Sequence, residues 1–414
     1  MTSLQESRCR VSGESLTPLI DLGDIYLNNF VKEKDESLPR SPLRLGIGKN
    51  SKLVQLMDSP DLDLLYRQYW YRSGTNQSMT EELLSIANAA RKWIRIGSKD
   101  RIVDIGCNDG TLFKFFSPDS IKIGFDPALN LREEAERLCT THVPEYFSSD
   151  LYHEVEEEPA KLVTSIAMFY DLPNPRSFVR DVAEILSPEG LWIVQMSYTP
   201  LMLRQMAFDN ICHEHLEYYT LTSFKETVRP WFKISDVELN NTNGGSFRVY
   251  LEKIGAKPKK LRFDRDIAEM RVESLLELER VEGVGNQEPY VIFTDRVRTR
   301  KYDTIALLKQ LRKEGKRIYG YGASTKGNTL LQYYGIGEDL IKGIAEKQPA
   351  KWGLKTVGSW IPIINEEEMR KQNPDYLVVF PWHFRDEFVK REAAYLNSGG
   401  RMIFPLPDLE IVSA

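Results

Sequence analysis

Asp104-Ile105-Gly106-Cys107-Asn108-Asp109-Gly110-Thr111 decides the fold. It closes the apolar run Arg101–Gly106, which predicts a buried strand, and leads into Thr111–Phe116, which opens a helix. Gly106 and Gly110 allow a tight turn and a close ligand approach at the carboxyl edge of a sheet. A second strand ends on Asp126, whose two oxygens can accept both hydroxyls of a ribose. A pyrophosphate turn would read Gly-x-Gly-x-x-Gly; here acids stand at Asp104 and Asp109 and would repel phosphate. Acids suit a cation. S-adenosylmethionine has a sulfonium, an ammonium and no phosphate, so it fits better than NAD. The candidate cofactor residues are Asp104, Gly106, Asn108, Asp109, Gly110, Asp126, Pro127 and Met168.

Working outward, apolar strands at 162–167 and 191–195 continue an alternation with helices, the pattern of a parallel sheet covered on both faces. Two strand-like runs flank Asn243-Gly244-Gly245 and predict an antiparallel pair that closes this sheet. The helical spacing of 79–96 precedes it; charged helices are expected at 264–282 and 290–314. The pattern then restarts. Arg317–Gly322 reads as a strand into a glycine turn, 328–333 as a helix, and 340–345, 376–380 and 401–404 as strands. The class is α/β, with two Rossmann-like units behind an irregular leader of about 80 residues.

The remaining composition mostly excludes. The 55 Lys+Arg against 60 Asp+Glu leave a net charge of −5, without the basic excess of a nucleic-acid binder. Four scattered cysteines make neither a disulfide framework nor, by themselves, a zinc site. Without a leader peptide's apolar core or a bilayer-length apolar run, the expectation is a cytoplasmic protein that avoids membranes, as a monomer or homodimer.

Two of the five histidines fall in Ile211-Cys212-His213-Glu214-His215-Leu216-Glu217-Tyr218-Tyr219. The cluster is readable as a structural hydrogen-bond knot or as a general base with its orienting acid. A metal is the weaker reading, since no third ligand is evident. Farther on, Gly320-Tyr321-Gly322-Ala323-Ser324-Thr325-Lys326-Gly327-Asn328 offers glycines, hydroxyls and a cation, which suit a diphosphate. Trp382-His383-Phe384 follows another strand and could supply a ring pocket. Glu346, at a strand end, is open between a ribose contact and an exposed acid.

Together with Tyr69-Trp70-Tyr71-Arg72-Ser73-Gly74, Ala167–Leu172 and Asn243–Ser246, these motifs make the chain resemble the S-adenosylmethionine-dependent sugar 3-C-methyltransferases. Those enzymes act on nucleotide-linked 4-keto-deoxysugars in branched-sugar pathways of antibiotics and lipopolysaccharides. The resemblance spans nearly the whole chain. It implies a small N-terminal zinc-type domain at 1–78, a methyltransferase domain at 79–258, and a C-terminal Rossmann-like domain at 259–414 that helps hold the nucleotide sugar. It implies His215 as base, with Glu214 beside it and Tyr71 lining the reacting sugar. The expected substrate contacts are Tyr71, Ser73, His213, Asn243, Gly322, Ser324, Lys326, Asn328, Trp382 and His383. Family members often carry tyrosine where this chain has Cys212. The family's four zinc thiolates fall on Cys9, Ser12, Gly48 and Ser51, so no zinc is expected. An O- or N-methyltransferase and a non-catalytic descendant remain the alternatives.

Overall fold

In the computed structural model, which describes residues 7–27, 30–61, 63–67, 69–257 and 263–414, the Asp104 turn leaves the middle of a seven-stranded sheet. Its strands lie in the order Phe232–Asn240, Ser246–Lys253, Leu186–Ser197, Ala160–Ile166, Arg101–Ile105, Ile121–Phe125 and Thr141–Val143. Ser246–Lys253 is antiparallel to both of its neighbours, while the other pairings are parallel. That one reversed strand follows from the Thr242–Gly245 turn, where Asn243, Gly244 and Gly245 all have positive φ. The order and the single reversal define the class I methyltransferase arrangement that the strand–helix alternation predicts.

Helix Gln77–Trp93 covers one face, started by the Asn76 side chain, which accepts from Met79 N at 3.3 Å. It buries Leu83, Ile86, Ala87, Ala90 and Trp93 and stops at Ile94, whose backbone is extended, short of the expected Ile96. After Asp126 a single 3-10 turn at Leu129–Leu131 leads into the short helix Arg132–Glu136. Thr111–Phe115 is likewise 3-10, because it hangs from Gly110 in the left-handed region.

The second unit has the order Ile363–Asn365, Ile344–Glu346, Ile318–Tyr321, Tyr376–Val379, Arg401–Phe404 and Glu410–Val412. Only the last strand is antiparallel. Helix Thr325–Tyr334 springs from its central strand, capped by Ser324 Oγ accepting from Gly327 N at 2.9 Å. The second strand of this unit begins at Ile344 rather than Leu340, because Leu340 and Ile341 belong to a turn closed on Gly337 O.

Two connections cross the expected domain boundaries. Glu217–Tyr218 pairs with Val54–Gln55 and becomes the fourth strand of the N-terminal antiparallel sheet, after Leu16–Tyr26, Arg40–Gly48 and Val54–Leu56. Phe30–Val31 pairs with Lys355–Thr356 of the C-terminal unit. One apolar core accordingly runs from Ile20, Leu45 and Val54 to Ile318, Leu330 and Val378. Among the described residues no helix is long and apolar enough to cross a membrane.

Three of the four zinc-type positions, Cys9, Ser12 and Ser51, are joined by hydrogen bonds, Ser12 and Ser51 through Glu14. Cys9 Sγ lies 3.2 Å from Ser51 Oγ. The Glu14 carboxylate accepts from Asn50 N, Ser51 N and Ser12 Oγ at 2.8–3.1 Å. A Cβ placed on Gly48 would meet Ser51 Oγ at 2.3 Å and Glu14 Oε1 at 2.7 Å, so this cluster fills the space a fourth ligand would use. Among the described residues no group of three or more His, Cys, Asp or Glu is arranged to hold a metal.

Candidate functional site

The carboxyl ends of both parallel sheets open into one cavity of about 1080 Å³. Of the expected cofactor residues, it is lined by Asp104, Gly106, Asn108, Asp126, Pro127 and Met168. Asp126 Oδ2 accepts from Asn108 N at 2.8 Å and Oδ1 from Ala128 N at 2.9 Å. Each oxygen keeps a further lone pair for a ribose hydroxyl. At Gly106 (φ +75°) a Cβ would come within 2.9 Å of Met168 Cγ, so the turn must stay bare for a ligand to lie against it. Burial pushes the Asp104 carboxyl up to about 7, opposed by Thr164 Oγ1, which donates to it at 2.6 Å. This acid ionises most readily when a cation arrives. Paired lone pairs, a bare turn and a cation-seeking acid together fit S-adenosylmethionine.

Asp109 and Gly110 lie outside the cavity lining. Asp109 Oδ2 accepts from Gly74 N at 2.7 Å and Oδ1 from Thr111 N at 3.1 Å. Gly110 packs on Ala135 and Leu138, where a Cβ would stand 3.2–3.3 Å from them. Asp109 is thus a fastener rather than a wall. Asn108 fastens the same segment: its Oδ1 accepts from Ser73 N at 2.9 Å and its Nδ2 donates to Tyr71 O at 3.1 Å. Asn130 adds a reciprocal pair with the Tyr69 main chain, and Arg72 bridges to Glu134. Residues 69–74 therefore form a strap over the cofactor end, carrying Tyr71 and Ser73 into the lining. The sequence shows the motif; it does not show that the glycine turn is its anchor.

The same cavity is lined by Glu214, His215 and Asn243. His215 Nδ1 lies 2.7 Å from Asn210 O. A carbonyl only accepts, so Nδ1 carries the hydrogen and Nε2 holds the lone pair. Burial, reinforced by the Lys326 charge, pushes the imidazole down to about 3, which keeps it neutral. Among the described residues Nε2 has no hydrogen-bond partner. The Tyr170 ring stands edge-on 4.4 Å from the imidazole and restricts its rotation. Burial raises Glu214 to about 7, against the pull of Cys212 and Lys326. Burial raises Asp171 as well, with Glu214 and Glu217 adding to the effect. A neutral base thus shares the cavity with Glu214, a carboxyl able to hold a proton near neutrality.

His213 faces away. It is buried among the N-terminal strands, with Nε2 3.1 Å from Ser41 O. Of the C-terminal expectations, Gly322, Ser324, Lys326 and His383 line the cavity. Trp382 does not: its Nε1 donates to Asp209 Oδ2 at 3.0 Å and its ring closes on Gly244. Asn328 is buried in its helix, away from the lining. Lys326 was expected at a diphosphate; its Nζ donates to Asn210 Oδ1 at 2.5 Å, next to the base.

Glu346 repeats the arrangement of Asp126. Its Oε2 accepts from Ala323 N and its Oε1 from Gln348 N, both at 2.9 Å. In each unit the acid closing the second strand therefore receives one N–H from the first turn and one from two residues onward. Residue identity between the units hides this parallel, since Asp126 and Glu346 differ. Asn210 is the residue sequence reasoning missed, because its side chain and carbonyl serve different partners and no spacing marks that.

Residues 72–229 match the family described as methyltransferase domain, and residues 241–407 the family described as C-methyltransferase C-terminal domain. The C-methyltransferase NovU of Streptomyces niveus is 27% identical over 98% of this chain and 97% of its own. A solved S-adenosylmethionine-dependent methyltransferase from Clostridium acetobutylicum is 12% identical over 43% of this chain and 93% of its own, with a TM-score of 0.35. The N-methyltransferase NodS of Bradyrhizobium japonicum is 12% identical over 43% of this chain and 95% of its own, with a TM-score of 0.32. Two family matches in tandem and a relative aligned along nearly the whole length agree with the sheet order and the bare Gly106 turn: residues 72–229 match a methyltransferase domain, residues 241–407 match a C-methyltransferase C-terminal domain, and the whole chain is similar to a C-methyltransferase.

Proposed function

We propose that the protein methylates C3 of a nucleotide-linked 4-keto-deoxysugar. The observation that carries this is His215: Asn210 fixes its tautomer, and its free Nε2 borders the same cavity as the Asp126 ribose bracket. When bound, S-adenosylmethionine supplies an electrophilic methyl group. The carbon next to a ketone loses its proton to Nε2, because the electron pair delocalises onto the carbonyl oxygen. A positioned base of this kind is typically worth about 10²–10⁴ in rate. The strap carrying Tyr71 and Ser73 holds the acceptor carbon in line and excludes water, which contributes much of the remainder. A protonated Glu214, or Tyr71, can donate to the developing oxyanion. The nucleotide is assigned to the C-terminal turn at Gly322 and Ser324, with His383 also in the lining. The C-methyltransferase name of the relative supports carbon as the acceptor.

The test is a panel of 4-keto-6-deoxyhexoses linked to dTDP, GDP, CDP and UDP. Release of S-adenosylhomocysteine and a new C-methyl signal on C3 are expected with one of them. A methoxy or methylamino product would overturn carbon transfer, and no turnover with any sugar would overturn the keto-sugar reading.

A further inference from the structure

Lys326 begins where the C-terminal helix begins, yet it ends at the base of the other unit. Its Nζ donates to Asn210 Oδ1 at 2.5 Å, and the main-chain oxygen of the same asparagine accepts from His215 Nδ1 at 2.7 Å. One residue therefore ties a cation to a base across two sheets. Lys326 lines the cavity, and among the described residues it makes no ion pair. Its ammonium carries further N–H donors beyond the one given to Asn210. His215 and His383 are both held neutral by burial and by Lys326 itself, each at about 3. Glu214 is raised to about 7 by burial, and Asp209 is raised in the same way, with Oδ2 already accepting from Trp382. A partly buried cation with no carboxylate in ion-pair contact has N–H donors to offer an anion that forms beside it.

We propose that Lys326 is the catalytic cation that stabilises the enolate oxygen, and that Asn210 is the positioning residue that holds this cation to the base. The inference rests on the keto-sugar reading above. In the step concerned, the C3–H bond breaks and its proton goes to His215 Nε2. The C–H electron pair becomes the carbon–carbon double bond, and the carbonyl π pair moves onto oxygen, where the Lys326 N–H groups meet it. Charge balances: a neutral imidazole and a ketone become an imidazolium and an enolate. A base as weak as this imidazole removes a carbon-bound proton only where the resulting oxyanion is met by preorganised positive charge. The sequence alone would send Lys326 to a diphosphate; its partner in the structure is Asn210.

The experiment is solvent deuterium exchange at C3 of the four nucleotide keto-sugars, with S-adenosylhomocysteine bound so that no methyl transfer intervenes. Sugar and S-adenosylhomocysteine affinities are measured beside it by calorimetry. Lys326→Met is expected to slow exchange at saturating sugar by about 10²–10³, the usual loss for one oxyanion donor, with both affinities changed less than about threefold. Lys326→Arg keeps the charge and should recover at least about tenfold of the lost rate. Asn210→Ala leaves the main-chain carbonyl on His215 and removes only the lysine contact, so a loss of about tenfold at unchanged affinity is expected. Unchanged exchange in Lys326→Met with sugar affinity weakened tenfold or more would make Lys326 a phosphate ligand and overturn the inference alone. No exchange by the unaltered protein with any of the four sugars would overturn the keto-sugar reading, and this inference with it.

Discussion

Asp104→Asn tests whether the acid of the glycine turn is a proton-holding group, as its environment requires. Burial lifts this carboxyl from 3.8 to about 7. The folded chain thus keeps a proton that the unfolded chain releases near pH 4. A raised folded value means that stability is lost as pH rises, over the window between those two values, and is flat above it. At about 1.4 kcal/mol per unit, going from about pH 5 to about pH 8 costs the native protein about 3 kcal/mol through this group alone. Asparagine cannot titrate, and its carbonyl can still accept from Thr164 Oγ1, which sits 2.6 Å from the present oxygen. Any fixed penalty for the new amide is the same at both pH values and cancels, as do all other carboxyls. Urea unfolding of both proteins at the two pH values should show the variant gaining about 3 kcal/mol relative to native as pH rises. A gap that stays constant or narrows would refute the buried, proton-holding Asp104.

Asn108→Gly tolerates the positive φ at that position but loses the two hydrogen bonds to Tyr71 and Ser73; at about 1 kcal/mol each, S-adenosylhomocysteine affinity should fall by about thirtyfold in calorimetry. Glu14→Ala removes the acceptor of Asn50, Ser51 and Ser12 and should cost about 2 kcal/mol of unfolding free energy, with little change in turnover. In the pH–rate profile, His215 contributes no acid limb until near 3, while a Glu214 that must be protonated gives a basic limb near 7. Glu214→Gln, which always donates, should flatten that basic limb at a reduced rate.

The two parallel sheets were legible because each apolar run and each glycine turn is a local signal. The strap was half legible. Tyr69–Gly74 announces itself by composition, but its fasteners, Asn108 and Asp109, read as cofactor residues until their partners are seen. The strand Glu217–Tyr218 was invisible, since two residues cannot show a period and their partners lie at Val54–Gln55. His213 and His215 illustrate the limit in the site. Two histidines with one residue between them look equivalent, yet Leu216 and Glu217 are drawn toward the N-terminal sheet. That turns His213 onto Ser41 O and leaves His215 at the cavity. The fate of Lys326 is a tertiary fact of the same kind.

The matched carboxylates, Asp126 on one sheet and Glu346 on the other, both line one shared chamber. Ligands anchored on these two brackets would share one cavity. Such a layout calls for both reactants to be present before either product leaves. Intersecting lines in double-reciprocal plots are its kinetic mark; parallel lines would signal a covalent methyl–protein relay.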